Sequence, residues 1–371
     1  MNRIAKKSKE KRGGVATACV TALLALLAFA PAAAQANYDP IASGATRLTV
    51  EKSFLALLKE NGVKLSALAP AKLKGTTLSF PVSGGKFDPT TSAGTVEHEG
   101  GLLFKAGARK VPLSALQLKT TSKHTPFSVK AGGGQLKLAA AKSLAVTREG
   151  FANKVKVTAL TLSAKVATRL DKKLHLRGVF KEGQPLGRTL TKTQPVTTSV
   201  LGQNKASLSF DPAFAAKLAS LFVATNPIFP AEHPGPFTLP IFAGTIAPSA
   251  STGTVETQGT LELIQQGGGQ VFWHEPWIEL ATGAFSAEVE TEPSPPYAGK
   301  TPRTPIAALA LPTAAVADAK ARTVTVTGAS LTLPASTAAL LNEIFAKPLS
   351  KGEVFKNGEA LGTLSFGAQG Q

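Results

Sequence analysis

The sequence predicts a mainly β protein, built as two tandem β-sandwich-like domains that each carry about two short helices. Three observations carry that prediction: an internal repeat, short strand signals between glycine and proline breaks, and helix signals that recur in both halves. The repeat is plainest where Gly94-Thr95-Val96-Glu97 returns as Gly253-Thr254-Val255-Glu256. Around it, Pro81, Gly85, Pro89, Gly100 and Leu102 match Pro240, Gly244, Pro248, Gly259 and Leu261 in the same order. Upstream, Leu48, Phe54 and Leu58 match Leu208, Phe214 and Leu218. Downstream, Leu160-Thr161-Leu162 answers to Leu331-Thr332-Leu333. Phe180-Lys181, Gly183 and Leu186-Gly187 then answer to Phe355-Lys356, Gly358 and Leu361-Gly362. A period of about 160 residues is too long for a solenoid unit and suits a whole domain. The copies are placed at 46–199 and 200–369.

In the first copy, strand signals cover Thr76–Val82, Thr95–Phe104, Leu113–Thr120, Gln135–Leu138, Val155–Leu162 and Gly187–Thr191. In the second they cover Phe237–Ala243, Gly253–Ile264, Trp277–Leu280, Phe285–Val289, Arg322–Leu333 and Gly362–Phe366. These segments alternate or carry β-branched residues, and turn signals follow every ~10–15 residues, the pattern of an antiparallel sandwich or open barrel. A helix opens each copy. Val50–Asn61 puts Phe54, Leu57 and Leu58 on one face and stops at Gly62; in the second copy Asp211 is an N-cap and Pro212 suits the first helical position. A second helix follows each Leu-Thr-Leu strand, capped by Ser163 over Ala164–Leu174 in the first copy, and in the second opened by Pro334 and Ser336 and ending near Phe345. Lys181-Glu182-Gly183 and Lys356-Asn357-Gly358 read as turns into a last strand. Thr191–Lys205 reads as a polar linker, and Glu292–Thr304 as a proline-rich exposed loop.

The N-terminus reads as a secretory signal at 1–36. Arg3, Lys6, Lys7, Lys9, Lys11 and Arg12 precede an apolar run from Val15 to Ala30, and Ala34-Gln35-Ala36 fits a small-x-small cleavage site. The run is short for a membrane anchor, and Leu361–Gln371 is too short and polar for a C-terminal one. The expected location is therefore secreted, either extracellular or cell-wall associated. Cys19, the single cysteine, lies inside the signal, which leaves the mature chain without disulfide or thiol chemistry. The formal net charge is +18. The basic excess falls mainly in the first copy, in stretches such as Lys119–Lys123, Lys137–Lys142 and Lys154–Lys156. Two readings stand for it: a solvated basic face, or contact with an acidic cell-wall polymer, lipid headgroups or another anionic surface. Nucleic acid is not expected as a partner, because no basic-aromatic platform is visible.

Several landmarks resemble the HtaA domain of actinobacterial cell-surface proteins. They are the opening Val50-Glu51-Lys52-Ser53-Phe54 segment, the Phe80-Pro81 strand before Gly94–Gly100, and the tandem arrangement. The resemblance spans nearly the whole mature chain and implies haem as a cofactor. In that family a tyrosine on the opening segment ligates haem, and a histidine follows the Gly-Thr-Val strand. This chain has Leu57 and Lys217 at the first position and Gly101 and Thr260 at the second. Its two tyrosines, Tyr38 and Tyr297, lie ahead of the first copy and in the proline-rich loop. Haem iron needs an axial ligand such as Tyr, His or Cys. The family's ligand set is therefore not carried over, and no cofactor is predicted.

Four residues remain as candidate ligand contacts: His98, Trp273, His274 and Trp277. His98 reads as a surface histidine, or as a haem ligand in a slipped register. Trp273-His274-Glu275-Pro276-Trp277 reads as a core aromatic pair, or as an exposed platform for a small aromatic or hydrophobic ligand with His274 and Glu275 at its rim. His124, His175 and His233 lack partners at metal-ligand spacing, and no catalytic or metal motif occurs. The expected function is an exported, non-enzymatic binding or structural protein of the cell envelope. Haem uptake and basic envelope adhesion stand as its alternatives.

Overall fold

The computed structural model describes residues 37–371 apart from 122–125, 132–133, 142, 233–234, 293–300 and 313–314. Residues 1–36, expected as a signal, lie outside the described residues, as do His124, His233, Tyr297, Lys123, Lys142 and most of the proline-rich loop.

The first set of elements runs β1 (Asp39–Val50), α1 (Lys52–Glu60), β2 (Val63–Leu68), β3 (Lys72–Lys74), β4 (Thr77–Phe87), β5 (Gly94–His98), β6 (Gly101–Ala106) and β7 (Arg109–Thr120). It continues with β8 (Pro126–Ala131), β9 (Gly134–Ala141), β10 (Leu144–Glu149), β11 (Ala152–Leu162), α2 (Ala164–Leu174) and β12 (Pro185–Pro195). The second set runs β13 (Thr198–Leu201), β14 (Lys205–Phe210), α3 (Pro212–Ser220), β15 (Val223–Ile228), β16 (Phe237–Ile246), β17 (Gly253–Thr257), β18 (Thr260–Gln265) and β19 (Gln270–Glu279). It ends with β20 (Ala284–Glu292), β21 (Thr304–Ala310), β22 (Val316–Asp318), β23 (Thr323–Thr332), α4 (Ala335–Leu341) and β24 (Ala360–Gly370). The chain is mainly β, and every strand pair is antiparallel.

The strands do not form open sandwiches. In the first sheet β1, β4, β5, β7, β8, β9, β11 and β12 each pair with the next, and β12 returns to β1, which closes a barrel. In the second, β14, β16, β17, β19, β20, β21, β23 and β24 close in the same way. Closure removes the exposed edges that a sandwich would keep. It depends on β1, for which the sequence offers no separate strand signal. Val50 ends that strand instead of starting a helix. Thr191–Lys205, expected as a linker, is strand over most of its length. Thr95–Phe104 and Gly253–Ile264, expected as single strands, each break in two, at Gly100 (φ 79°) and Gly259 (φ 104°). A Cβ at Gly100 would sit 2.6 Å from the Ala71 nitrogen, so only glycine lets the chain turn there.

The helices follow from local chemistry. The Asp211 carboxylate accepts the Ala213 N–H at 2.8 Å, and Pro212 starts α3. Ser163 accepts the Val166 N–H ahead of α2, which ends at His175 in the left-handed region (φ 57°). On α1, Phe54 and Leu58 are one turn apart and both buried. Phe54 meets Phe104 edge-on at 6.5 Å and Phe180 at 6.1 Å.

The two barrels are tied together. Asp39 of β1 is buried; its carboxylate accepts the Thr198 hydroxyl at 3.1 Å and the Ser199 N–H at 3.0 Å, and pairs with Arg148 at 3.6 Å. Burial raises the Asp39 pKa, against the lowering effect of those partners. Phe151, at the turn between β10 and β11, joins the apolar core of the second barrel. The Gln371 amide donates to Asp88 at 3.3 Å.

Replacing Phe54 by Ala should open a cavity under α1 and cost roughly 3–5 kcal/mol. That is a large part of a typical domain stability of about 5–15 kcal/mol. An unchanged denaturation midpoint would show that α1 is not docked on the barrel.

Candidate functional site

The alternation of the seam strands sorts their side chains to two faces. On β1, Thr46, Leu48 and Val50 point inward while Arg47 and Thr49 face out. On β12, Arg188 and Lys192 face out, and on β11 so do Lys154 and Lys156. The register then sets them side by side. Leu190 lies opposite Arg47 on one flank and Lys156 on the other, and Arg188 lies opposite Thr49. β10 extends this wall, with Ala145 opposite Lys156 and Thr147 opposite Lys154. The result is a trough of about 690 Å³ on the outer wall of the first barrel, with Leu190 and Ala145 among its lining.

Its electrostatics are lopsided. Glu149 holds Lys154 and Lys192, each at 2.7 Å, and those two hydrogen bonds keep its pKa low, at about 2. No ion pair to Arg47, Lys156 or Arg188 occurs among the described residues. The trough therefore presents three unneutralised cations around an apolar centre. The same lattice positions of the second barrel carry no charge. Ser207, Ser209, Thr363 and Ser365 stand for Arg47, Thr49, Arg188 and Leu190, and Thr325 and Thr327 for Lys154 and Lys156. The fold itself does not require the cations.

His98 is not a surface residue. It is 4% exposed and points into the first barrel. Its Nδ1 meets the Leu116 carbonyl at 2.9 Å, and so carries the proton; its Nε2 accepts from the Thr46 hydroxyl at 2.6 Å. Thr46 in turn meets Thr191 at 2.7 Å. Both ring nitrogens are occupied, and burial pushes the pKa down to about 4. At the matching positions the second barrel has Thr257, Ala206 and Phe366.

The tryptophan pair does not form a platform. Trp273 is fully buried inside the second barrel, and Trp277 faces out. A bulge between His274 and Trp277, with Glu275 at φ 44°, adds one residue and turns Trp277 to the opposite face. The Arg303 guanidinium covers the Trp277 ring at 3.9 Å. His274 stacks on Phe272, bonds Thr260 through Nδ1 at 2.9 Å and meets Glu290 through Nε2 at 2.9 Å. His98 and His274 thus lie in different barrels and share no site. Sequence reasoning missed Arg47, Arg188 and Leu190; it reached Lys154 and Lys156 only within a basic stretch.

At the positions where the family resemblance would place haem ligands, Leu57 packs on the core and Lys217 is paired with Glu359. A Cβ at Gly101 would fall 2.2 Å from the Leu113 carbonyl oxygen, so this backbone admits no side chain there. Among the described residues no cluster of His, Cys, Asp or Glu is suited to a metal ion, and no helix is long and apolar enough to cross a membrane.

No family model and no curated protein matches the chain. Among solved structures, the C-terminal domain of HtaA from Corynebacterium glutamicum is similar at 9% identity and TM-score 0.35, covering 42% of this chain and 98% of that one. The heme binding protein HtaB from the same organism is similar at 15% identity and TM-score 0.30, covering 42% and 95%. The N-terminal domain of HtaA is similar at 15% identity and TM-score 0.28, covering 42% and 98%. These are distant likenesses over less than half of the chain and do not establish its family.

The buried neutral His98 makes stability depend on pH. Its folded pKa, about 4, lies below its ordinary value of 6.5, so between those values the unfolded chain binds a proton that the folded chain does not. Stability is present above pH 6.5 and falls as the pH drops toward 4, by about 3 kcal/mol in all from this residue. Chemical denaturation at pH 7 and pH 4.5 should show a smaller loss for His98→Gln than for the parent chain; equal losses would mean that His98 does not titrate in this way.

Proposed function

We propose that the chain is an exported, non-enzymatic binding protein of the cell envelope, made of two copies of one β-barrel domain, and that the first copy holds an anionic ligand in its seam trough. The observation that supports this reading is the convergence of Arg47, Lys156 and Arg188, without carboxylate partners among the described residues, in a concavity of about 690 Å³. A solvated basic face has no need for a cavity or for unneutralised cations at three adjoining lattice positions. Converging cations in a concavity raise the local concentration of an anion and speed its capture. The neutral hydroxyl-bearing wall of the second copy gives that copy a different partner or a supporting role.

The residues do not suit haem. No tyrosine, histidine or cysteine lines the trough, and His98 has both ring nitrogens engaged inside the barrel. The repeated landmarks support the reading as two copies, and the apolar run at Val15–Ala30 supports export.

The test uses the second barrel as a guide to tolerated residues. The triple variant Arg47→Ser, Lys156→Thr, Arg188→Thr should keep the parent melting temperature. It should bind purified cell wall at least tenfold more weakly at low salt, and parent binding should fade as salt is raised. Equal retention of variant and parent would remove the trough from envelope binding.

A further inference from the structure

The trough is amphiphilic as well as basic, and that narrows its occupant. Its centre is Leu190, which is partly exposed on the outer wall of a barrel whose second counterpart carries Ser365 at the same place. An outward leucine there has no role in the barrel core. Beside it, Ala145 adds apolar lining, and Thr49, Thr77 and Thr147 lie along the same wall. Lys154 and Lys156 border this strip with their aliphatic stems and can carry their charges out toward water. The wall spans β10, β11, β12, β1 and β4, five adjacent strands, which makes the trough about 19 Å long. Next to Leu190, Arg47 on β1 and Arg188 on β12 stand on neighbouring strands, one row apart in register. Two guanidinium groups so placed suit the oxygens of one phosphate or carboxylate, which planar forks bind through paired hydrogen bonds.

We propose that the occupant is a single-chain acidic lipid, with its headgroup between Arg47 and Arg188 and its chain laid across Leu190 toward Ala145. This rests on the anion-binding reading and goes beyond it, because a purely polar polyanion would gain nothing from Leu190. The chain lies in an open trough and stays partly solvated, so the headgroup clamp and the apolar strip must both contribute. The hydroxyl wall of the second barrel offers neither.

The experiment measures binding of oleoyl lysophosphatidic acid, held below its micelle concentration, to the full mature chain by calorimetry. Oleoyl lysophosphatidylcholine tests the headgroup, and inorganic polyphosphate tests the chain. Lysophosphatidic acid is expected to bind. Leu190→Ser should weaken it about tenfold or more, the loss of one apolar side chain's contact area. The same variant should leave polyphosphate binding unchanged. Arg47→Ser with Arg188→Thr should weaken both anions, and the choline lipid should bind far more weakly than the acid. All three substitutions copy residues that the second barrel carries, and equal melting curves confirm folding. If polyphosphate binds as tightly as the lipid and Leu190→Ser changes neither, the lipid proposal falls while the anion site stands. If the choline lipid matches the acid, the arginine clamp falls and the lipid proposal with it. If neither anion binds, the anion-binding reading itself is overturned.

Discussion

Everything in this molecule depends on the pairing of the first strand of each barrel with the last. β1 and β12 are separated by most of the first half of the chain, yet they run side by side from Val50 opposite Gly187 to Ile41 opposite Pro195. β14 and β24 do the same from Phe210 opposite Gly362 to Ala206 opposite Phe366. Such contacts carry a large loop-closure entropy before they return any enthalpy. In exchange, each ring has no open edge to pair with another chain. The trough exists only because the seam is closed: Arg47 comes from one side of it, and Arg188 and Lys156 from the other.

The interiors of the two barrels solve one packing problem in two ways. In the first, Thr191, Thr46 and His98 form a hydrogen-bonded chain that ends on the Leu116 carbonyl. Each of these bonds has to be made, because an unpaired polar group at that depth is costly. In the second, Phe366 and Ala206 fill the matching space, and Thr257 keeps a polar contact, at 2.5 Å to the Pro276 carbonyl. The polar version ties the ring strands through geometry, while the apolar version relies on volume. Asp39 extends the polar scheme past the first barrel, binding Thr198 and Ser199 of the next strand.

The outer walls diverge as far as the interiors. One lattice of alternating strands displays arginine, lysine and leucine on the first barrel and serine and threonine on the second. Surface positions tolerate such exchange because they contribute little to folding, so they are where two similar frameworks can acquire separate partners. The bulge at Glu275 shows a finer control. By adding one residue it buries Trp273 and exposes Trp277 from a single strand, and Arg303 then covers the exposed ring.

Local chemistry by itself determined where helices begin and end: Asp211 and Pro212 start one, Ser163 caps another, and Gly62 closes the first. Alternation determined that the chain is mainly β, and composition located the basic excess in the first half. What only the tertiary structure decided was which distant strands meet and in what register. Periodicity says that Arg47 and Leu48 point to opposite sides, but not which side is inside, nor that Arg188 and Lys156 arrive beside Arg47. It could not show that His98 faces a barrel interior, because that depends on Thr46 and Thr191 from the two seam strands. Nor could it foresee that one inserted residue would send Trp273 and Trp277 to opposite faces, where strict alternation would have kept them together. Closure is a property of pairs far apart in the chain, and no local window contains both members of such a pair.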